Sequence, residues 1–210
     1  MERNADCERR LALVTAAAMF NDLSSPAALI ATRRSGKPRD MAAPGPTAEQ
    51  FDRILAAATR VPDHGKLAPW RFVIVPDDRR DAFAALLETA YRAERPDPGK
   101  VELEAVRQFA HQAPALVVVL SAPAHASHIP IWEQELSAGA ACMNLLVATH
   151  AEGLVGGWLT GWAAYSTIVR EAFGAAGERI AGFIFIGTPT RELDERPRPE
   201  AEKVISVWNG

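Results

Sequence analysis

Three short stretches of the chain carry residue types that can do chemistry. Thr32-Arg33-Arg34-Ser35-Gly36-Lys37 places two guanidinium groups, a hydroxyl and an ammonium within six residues. Guanidinium groups grip a phosphate through paired hydrogen bonds, and a serine hydroxyl adds a short one. A solvated basic linker is the alternative reading of the same run. The second stretch is Arg60-Val61-Pro62-Asp63-His64-Gly65-Lys66-Leu67-Ala68-Pro69-Trp70-Arg71. Its prolines fix a path, Arg60 and His64 offer donors, and Trp70 can anchor it, as in many functional loops. The alternative is an ordinary tight connection with Trp70 in the core. The third stretch is Gly156-Gly157-Trp158-Leu159-Thr160-Gly161-Trp162. Glycines let a backbone approach a flat ligand and turn its amides into donors. Trp158 and Trp162 are then candidate walls for a ring. A strand packed closely on a helix would need the same glycines.

Other chemistries find little support. No GxGxxG follows a strand, and neither GxxxxGK[ST] nor HExxH occurs. His125 and His128 are near each other without an obvious third ligand, so no metal site is expected. Cys7 and Cys142 are far apart and form no CxxC pair, which fits a reducing compartment; a cytoplasmic location is expected. The formal net charge of -3 argues against a generally basic surface for nucleic acid. A chain that is 48% hydrophobic and 23% charged has a globular composition, not a disordered one. No apolar run approaches the roughly 18 residues of a membrane span. Leu11 to Phe20, behind Arg9-Arg10, imitates a secretory signal. Glu2, Asp6 and Glu8 occupy the region that a signal keeps positive, so an N-terminal extension is expected instead, and Met19 offers an alternative start.

The elements that must position these stretches follow from periodicity. Thr47 to Arg60 predicts a helix, with Thr47 as N-cap, Gln50 completing a capping box, Phe51, Ile54, Leu55 and Ala58 at helical spacing, and Pro62 ending it. Arg71 to Val75 predicts a strand. Arg79 to Arg95 and Val101 to His111 predict amphipathic helices. Ala115 to Leu120 is continuously apolar, as in a strand buried on both faces. Trp132 to Glu152 predicts a long helix, apolar on more than one side, that must be buried in part against a second subunit; Gly153 stops it. Leu154 to Thr160 and Ile180 to Ile186 predict strands, with a short helix from Ile168 to Phe173 between them. The polar, Pro-rich tail from Thr188 to Lys203 ends in Val204-Ile205-Ser206-Val207-Trp208, an apolar end that needs a docking place.

Five motifs, in order, resemble the nitroreductase family of flavoproteins, and within it the small YdjA-like branch. They are Arg33-Arg34-Ser35; Arg60-Val61-Pro62-Asp63-His64 with Pro69-Trp70-Arg71-Phe72; Trp132-Glu133-Gln134-Glu135-Leu136-Ser137-Ala138-Gly139; Gly156-Gly157-Trp158; and Gly187-Thr188-Pro189. The resemblance spans roughly residues 20 to 210. It implies an α+β, nitroreductase-like fold, with a central mixed β-sheet flanked by helices. It also implies a homodimer with an exchanged C-terminal tail. The domain division is then an extension over residues 1–18 and an FMN-binding domain over 19–210.

The resemblance also implies the site. FMN would be held non-covalently by Arg33, Arg34 and Ser35, with Lys37 near the flavin's N1 and O2. Arg60, from the partner subunit, and His64 would contact the ring near the dimer interface. Trp158, Leu159 and Thr160 would line it with backbone, and Arg198, or its neighbour Arg196, would reach the phosphate. Ala148, Thr149, His150, Ala151, Glu152 and Gly153 match a stretch assigned to the nicotinamide nucleotide. No catalytic side chain is implied, because the cofactor carries the redox chemistry. The implied activity is hydride transfer from NAD(P)H to nitroaromatic, quinone or similar acceptors by a ping-pong mechanism, with those small molecules as partners and neither nucleic acid nor membrane. A related flavin chemistry, such as reductive dehalogenation, and a flavin carrier or sensor without turnover are the alternatives. Family members often carry Asn and Gln where this chain has Lys66 and Ala68, which leaves His64 to replace that contact. Residues before Met19 have no counterpart in the family.

Overall fold

The computed structural model describes residues 20–210. The expected extension therefore lies outside the described residues. From the N-terminal side the chain forms α1 (Pro26–Thr32), β1 (Met41–Ala42), α2 (Ala48–Ala58) and β2 (Trp70–Ile74). Then come α3 (Arg80–Glu94), α4 (Lys100–Phe109), β3 (Ala115–Ser121) and α5 (Ile131–Ala151). The last part holds β4 (Val155–Leu159), α6 (Gly161–Tyr165), α7 (Thr167–Phe173), β5 (Arg179–Pro189) and the short α8 (Ala201–Val204).

Local chemistry sets several of these bounds. Thr47 Oγ1 accepts from the Gln50 amide at 3.2 Å and Gln50 Oε1 accepts from the Thr47 amide at 3.0 Å, so the expected capping box starts α2. Gly153, at φ +79°, follows the end of α5 in the left-handed conformation that glycine adopts without strain. Ser166 accepts from the Val169 amide and caps α7.

β5 is the hub of a five-stranded sheet. It pairs with β3 along one edge and with β4 and then β1 along the other, while β2 pairs with β3. Every described pairing is antiparallel, so the expectation of a mixed sheet is corrected. Helices connect the strands, and each connection reverses the chain except that of α5: β3 and β4 both run antiparallel to β5, so α5 crosses between two strands of the same direction on either side of β5.

The sheet is covered on both faces. Leu116, Val118 and Leu120 of β3 join Phe183 and Phe185 of β5 under Phe83, Leu87 and Ala90 of α3, with α6 and α7 beside them. The alternate residues Val117, Val119, Ile184 and Ile186 pack on Ile54 and Ala58 of α2 and on Cys142, Leu145 and Leu146 of α5. Burial on both faces explains the continuous apolar run of β3. Arg80 is buried at the end of the first layer. It donates to the carbonyls of Val75 at 3.0 Å and Ala110 at 2.7 Å, tying the end of β2 to the turn before β3.

α5 is buried on one side only within a single chain. Ala138, Ala141, Cys142, Leu145 and Leu146 face the core, whereas Trp132, Leu136 and Met143 are exposed.

Candidate functional site

The first and third stretches meet. The Gly36 amide donates to the Gly156 carbonyl at 3.1 Å, which seams the segment after α1 onto β4. A Cβ on Gly157 would lie 2.5 Å from the Gly36 carbonyl oxygen, and a Cβ on Gly36 would collide with Val155. The expectation that Gly157 is small to admit a flat ligand is thus corrected: it is small to admit Gly36.

This seam borders a cavity of about 560 Å³, lined by Arg33, Ser35 and Lys37 from the first stretch and Trp158 and Leu159 from the third. Met143 and Leu146 of α5 supply an apolar wall, and Arg196 reaches in from the C-terminal tail. Arg39 also lines it, and no carboxylate does. Four cations without an acid make an anion site, and the apolar wall beside them accepts a ring.

Arg33 is the central donor. Its Nη1 donates to Ser35 Oγ at 3.4 Å, while its buried Nε has no hydrogen-bond partner among the described residues. That nitrogen is sealed from solvent, so it is the rest of the guanidinium, beside the Ser35 hydroxyl, that the cavity offers to an anion. Burial, followed by the Arg198 charge, pushes the Arg33 guanidinium below its ordinary value, with Glu195 acting against them. A phosphate-bearing flavin would suit this lining, which offers Arg33, Ser35 and Arg196 to a phosphate and Trp158, Leu159 and Met143 to a ring.

The remaining candidates fall elsewhere. Arg34 turns away from the cavity, donating to Glu195 and to the Leu193 carbonyl, with its guanidinium 5.8 Å from the Phe20 ring centre. Arg198 pairs with Glu195 at 2.6 Å, so the tail cation that lines the cavity is Arg196. Trp158 donates to the Ala181 carbonyl and lies over Gly182, whereas Trp162 donates to Glu94 and packs edge-on against Tyr91. The two tryptophans therefore do not wall one ring. Thr160 precedes α6 and opens onto a separate apolar cavity with Tyr91, Phe109 and Trp162.

Arg60 and His64 are also apart from the cavity within one chain. His64 is exposed and its Nδ1 lies 2.7 Å from Glu133 Oε2, at the start of α5. Glu133 and Leu146 are separated by about 20 Å along that helix. In the 148–153 stretch, Thr149 and His150 are fully buried, and Glu152 receives a bidentate pair from Arg53. Ala148 packs against the core, and Ala151 and Gly153 complete the helix end. The stretch thus presents little open polar surface to a nucleotide.

Sequence reasoning missed Arg39, Gln112, Met143 and Leu146 as lining residues. Arg39 follows the basic run closely enough to have been included. Gln112 carried no signal, because only the fold brings the turn before β3 to Lys37. Among the described residues no group of three or more His, Cys, Asp or Glu could hold a metal ion, and no helix is long and apolar enough to cross a membrane.

An α+β sheet sandwiched by helices, with a cationic cavity on one edge strand, is the class of protein that these features define. Residues 30–188 match the family model described as nitroreductase family. The chain is 37% identical over 162 residues to the Escherichia coli (strain K12) protein named "Putative NAD(P)H nitroreductase YdjA", covering 77% of this chain and 86% of that one. A solved structure of a nitroreductase-like family protein from Bacillus cereus superposes with a TM-score of 0.73 at 22% identity, covering 89% of this chain and 97% of that one. The FMN and NADPH-dependent nitroreductase NfnB from sphigopyxis sp. strain HMH gives 0.68 at 19% identity, over 89% and 99% of the two chains. The chain belongs to the nitroreductase family.

Proposed function

We propose that the chain is an FMN-dependent oxidoreductase that passes hydride from NAD(P)H to nitroaromatic, quinone or similar acceptors. The observation that carries this reading is a cavity lined by Arg33, Ser35, Lys37, Arg39 and Arg196 with no carboxylate among its lining residues. Family membership supports it, as does the FMN and NADPH dependence in the name of NfnB. When bound, FMN supplies the centre that accepts and returns hydride. Arg33, Ser35 and Arg196 hold the phosphate, and Lys37 places positive charge beside the ring system. The backbone of Trp158 and Leu159, with Met143, forms the wall that keeps one ring face from water. Both substrates use the open face in turn, which gives ping-pong kinetics.

The active form in this reading is a homodimer with an exchanged tail. Trp132, Leu136 and Met143 are exposed along α5, as are Val204, Ile205, Val207 and Trp208 at the C-terminal end. A second copy covers these surfaces and brings its Arg60 and His64 toward the cavity.

The test is direct. Purified protein should be yellow, release FMN on denaturation, and oxidise NADH or NADPH with a nitroaromatic acceptor. Double-reciprocal plots at several acceptor concentrations should run parallel. FAD in place of FMN, or bound flavin with no turnover of either nicotinamide, would overturn the reading.

A further inference from the structure

His150 lies on α5, fully buried, and both of its ring nitrogens face carbonyl oxygens. Nδ1 is 2.9 Å from the Leu146 oxygen and Nε2 is 2.9 Å from the Arg34 oxygen. A carbonyl only accepts. A neutral imidazole carries one N–H, so it serves one of these oxygens and turns a lone pair on the other. Only the imidazolium donates to both. The Arg34 carbonyl sits between Arg33 and Ser35, the two residues that enter the cavity, so the Nε2 bond fixes the backbone from which both project.

Among the described residues, the charges around His150 are few. Arg33 disfavours its protonation, and burial does so more strongly, while the bonds to Leu146 and Arg34 favour it. The Arg34 guanidinium is directed at Glu195, and the Asp22 carboxylate receives the Ser24 amide. On α5 itself, Glu152 is paired with Arg53 of α2. The segment before α1 adds Phe20, edge-on to the imidazole, and Asn21, whose side chain donates to the His150 carbonyl; neither titrates.

We propose that His150 is a positioning residue that couples phosphate binding at Arg33 to uptake of a proton from solvent. An anion seated on Arg33 offsets that arginine's share of the opposition to the imidazolium, and the two carbonyl oxygens then favour it against burial. His150 then takes a proton on its second ring nitrogen, both carbonyls are met, and the Arg33–Ser35 backbone is held in its binding geometry. The inference rests on the flavin reading for the identity of the phosphate. The sign follows from linkage: a group whose pKa rises on binding makes the complex tighter at low pH, and that gain is lost as pH rises through its value in the complex.

The experiment is titration calorimetry of flavin-stripped chain with FMN at pH 7.5, repeated in buffers of different ionisation heat. Native chain should take up more protons per FMN than His150→Gln does. Riboflavin, which lacks the phosphate, should show no such excess. Nitrogen-15 spectra of the native imidazole, which need no variant, should change from a neutral to an imidazolium pattern when FMN is added. Equal proton counts in native and variant chains, or an imidazole that stays neutral with FMN bound, would overturn this inference alone. A chain that binds no FMN would overturn the flavin reading and this inference with it.

Discussion

Arg34 Nε donates to Glu195 Oε2 at 3.0 Å, which ties the segment after α1 to the C-terminal tail, while its neighbour Arg33 lines the cavity beside Ser35. Adjacent arginines thus do different work: one closes the structure and the other is left for a ligand. Arg33→Ala should weaken FMN at least about tenfold, since a charge-assisted bond contributes about 1.5–3 kcal/mol. Arg34→Ala should instead cost about 1 kcal/mol of stability, as expected for a half-exposed pair with one added carbonyl bond. Flavin fluorescence titration and thermal melting of both variants separate the two effects; equal loss of affinity would show that both arginines reach the phosphate.

Gly157→Val should push the Gly36 segment off β4, because its side chain would occupy the place of the Gly36 carbonyl. The expected result is a loss of about 1–3 kcal/mol in stability, as for other overpacked sites, together with weakened flavin. Gly157→Ala should show the same pattern to a smaller degree. Melting with and without FMN checks this, and a Val variant with native stability would contradict the seam.

Glu178 accepts from Arg71 Nε at 2.9 Å, from Arg71 Nη2 at 2.7 Å and from the Ala175 amide at 2.7 Å. The Arg71 bonds hold its carboxyl below the usual range. A carboxylate lowered in the folded state contributes stability above its unfolded pKa of about 4.3, and that contribution is lost as pH falls through the folded value. Glu178→Gln should therefore lower stability by about 1 kcal/mol at pH 7, Arg71 being half exposed. The gap between native and variant melting temperatures should narrow as pH falls below about 4.3 and through the folded value. A gap of equal size at both pH values would assign the effect to something other than charge.

The Cys142 thiol is fully buried in the layer between the sheet and α5, and burial pushes its pKa up to about 12. Thiolate, not thiol, reacts with alkylating reagents. Peptide mapping after iodoacetamide at pH 8 should find residue 142 unmodified in native protein and modified after denaturation. Labelling in the native state would mean that this layer opens.

Much of the scaffold was legible because its signals are local. The Thr47–Gln50 box, the unbroken apolar run of β3 and the stop at Gly153 each state their structure within a few residues. α1 was not read, although Ser25 and Pro26 mark its start, because Pro26 to Thr32 buries only Leu29 and Thr32 and shows no clear apolar repeat. β1 has two residues and exists only because Met41 and Ala42 meet Pro189 and Thr188. At the site, Arg33, Ser35, Lys37, Trp158 and Leu159 could be read as one group through the family's motif order. Side-chain direction could not: nothing in Arg33-Arg34 says which guanidinium faces inward, and Trp158 and Trp162 look alike until α6 turns the second one away. The role of His150 needs a carbonyl 116 residues distant.

Among the described residues, β5 is the only strand partner of β1 and of β4, and it fills the far edge of β3. During synthesis, then, the β2–β3 pair is the one part of the sheet that can close before residues 179–189 emerge. Until that point β1 and β4 present unpaired backbone, and the seam at Gly36 has no settled strand to rest on. Assembly of the sheet waits for nearly the whole chain, a non-local order of events that slows folding. A nascent chain therefore has no cavity to offer a flavin until Pro189 has left the ribosome.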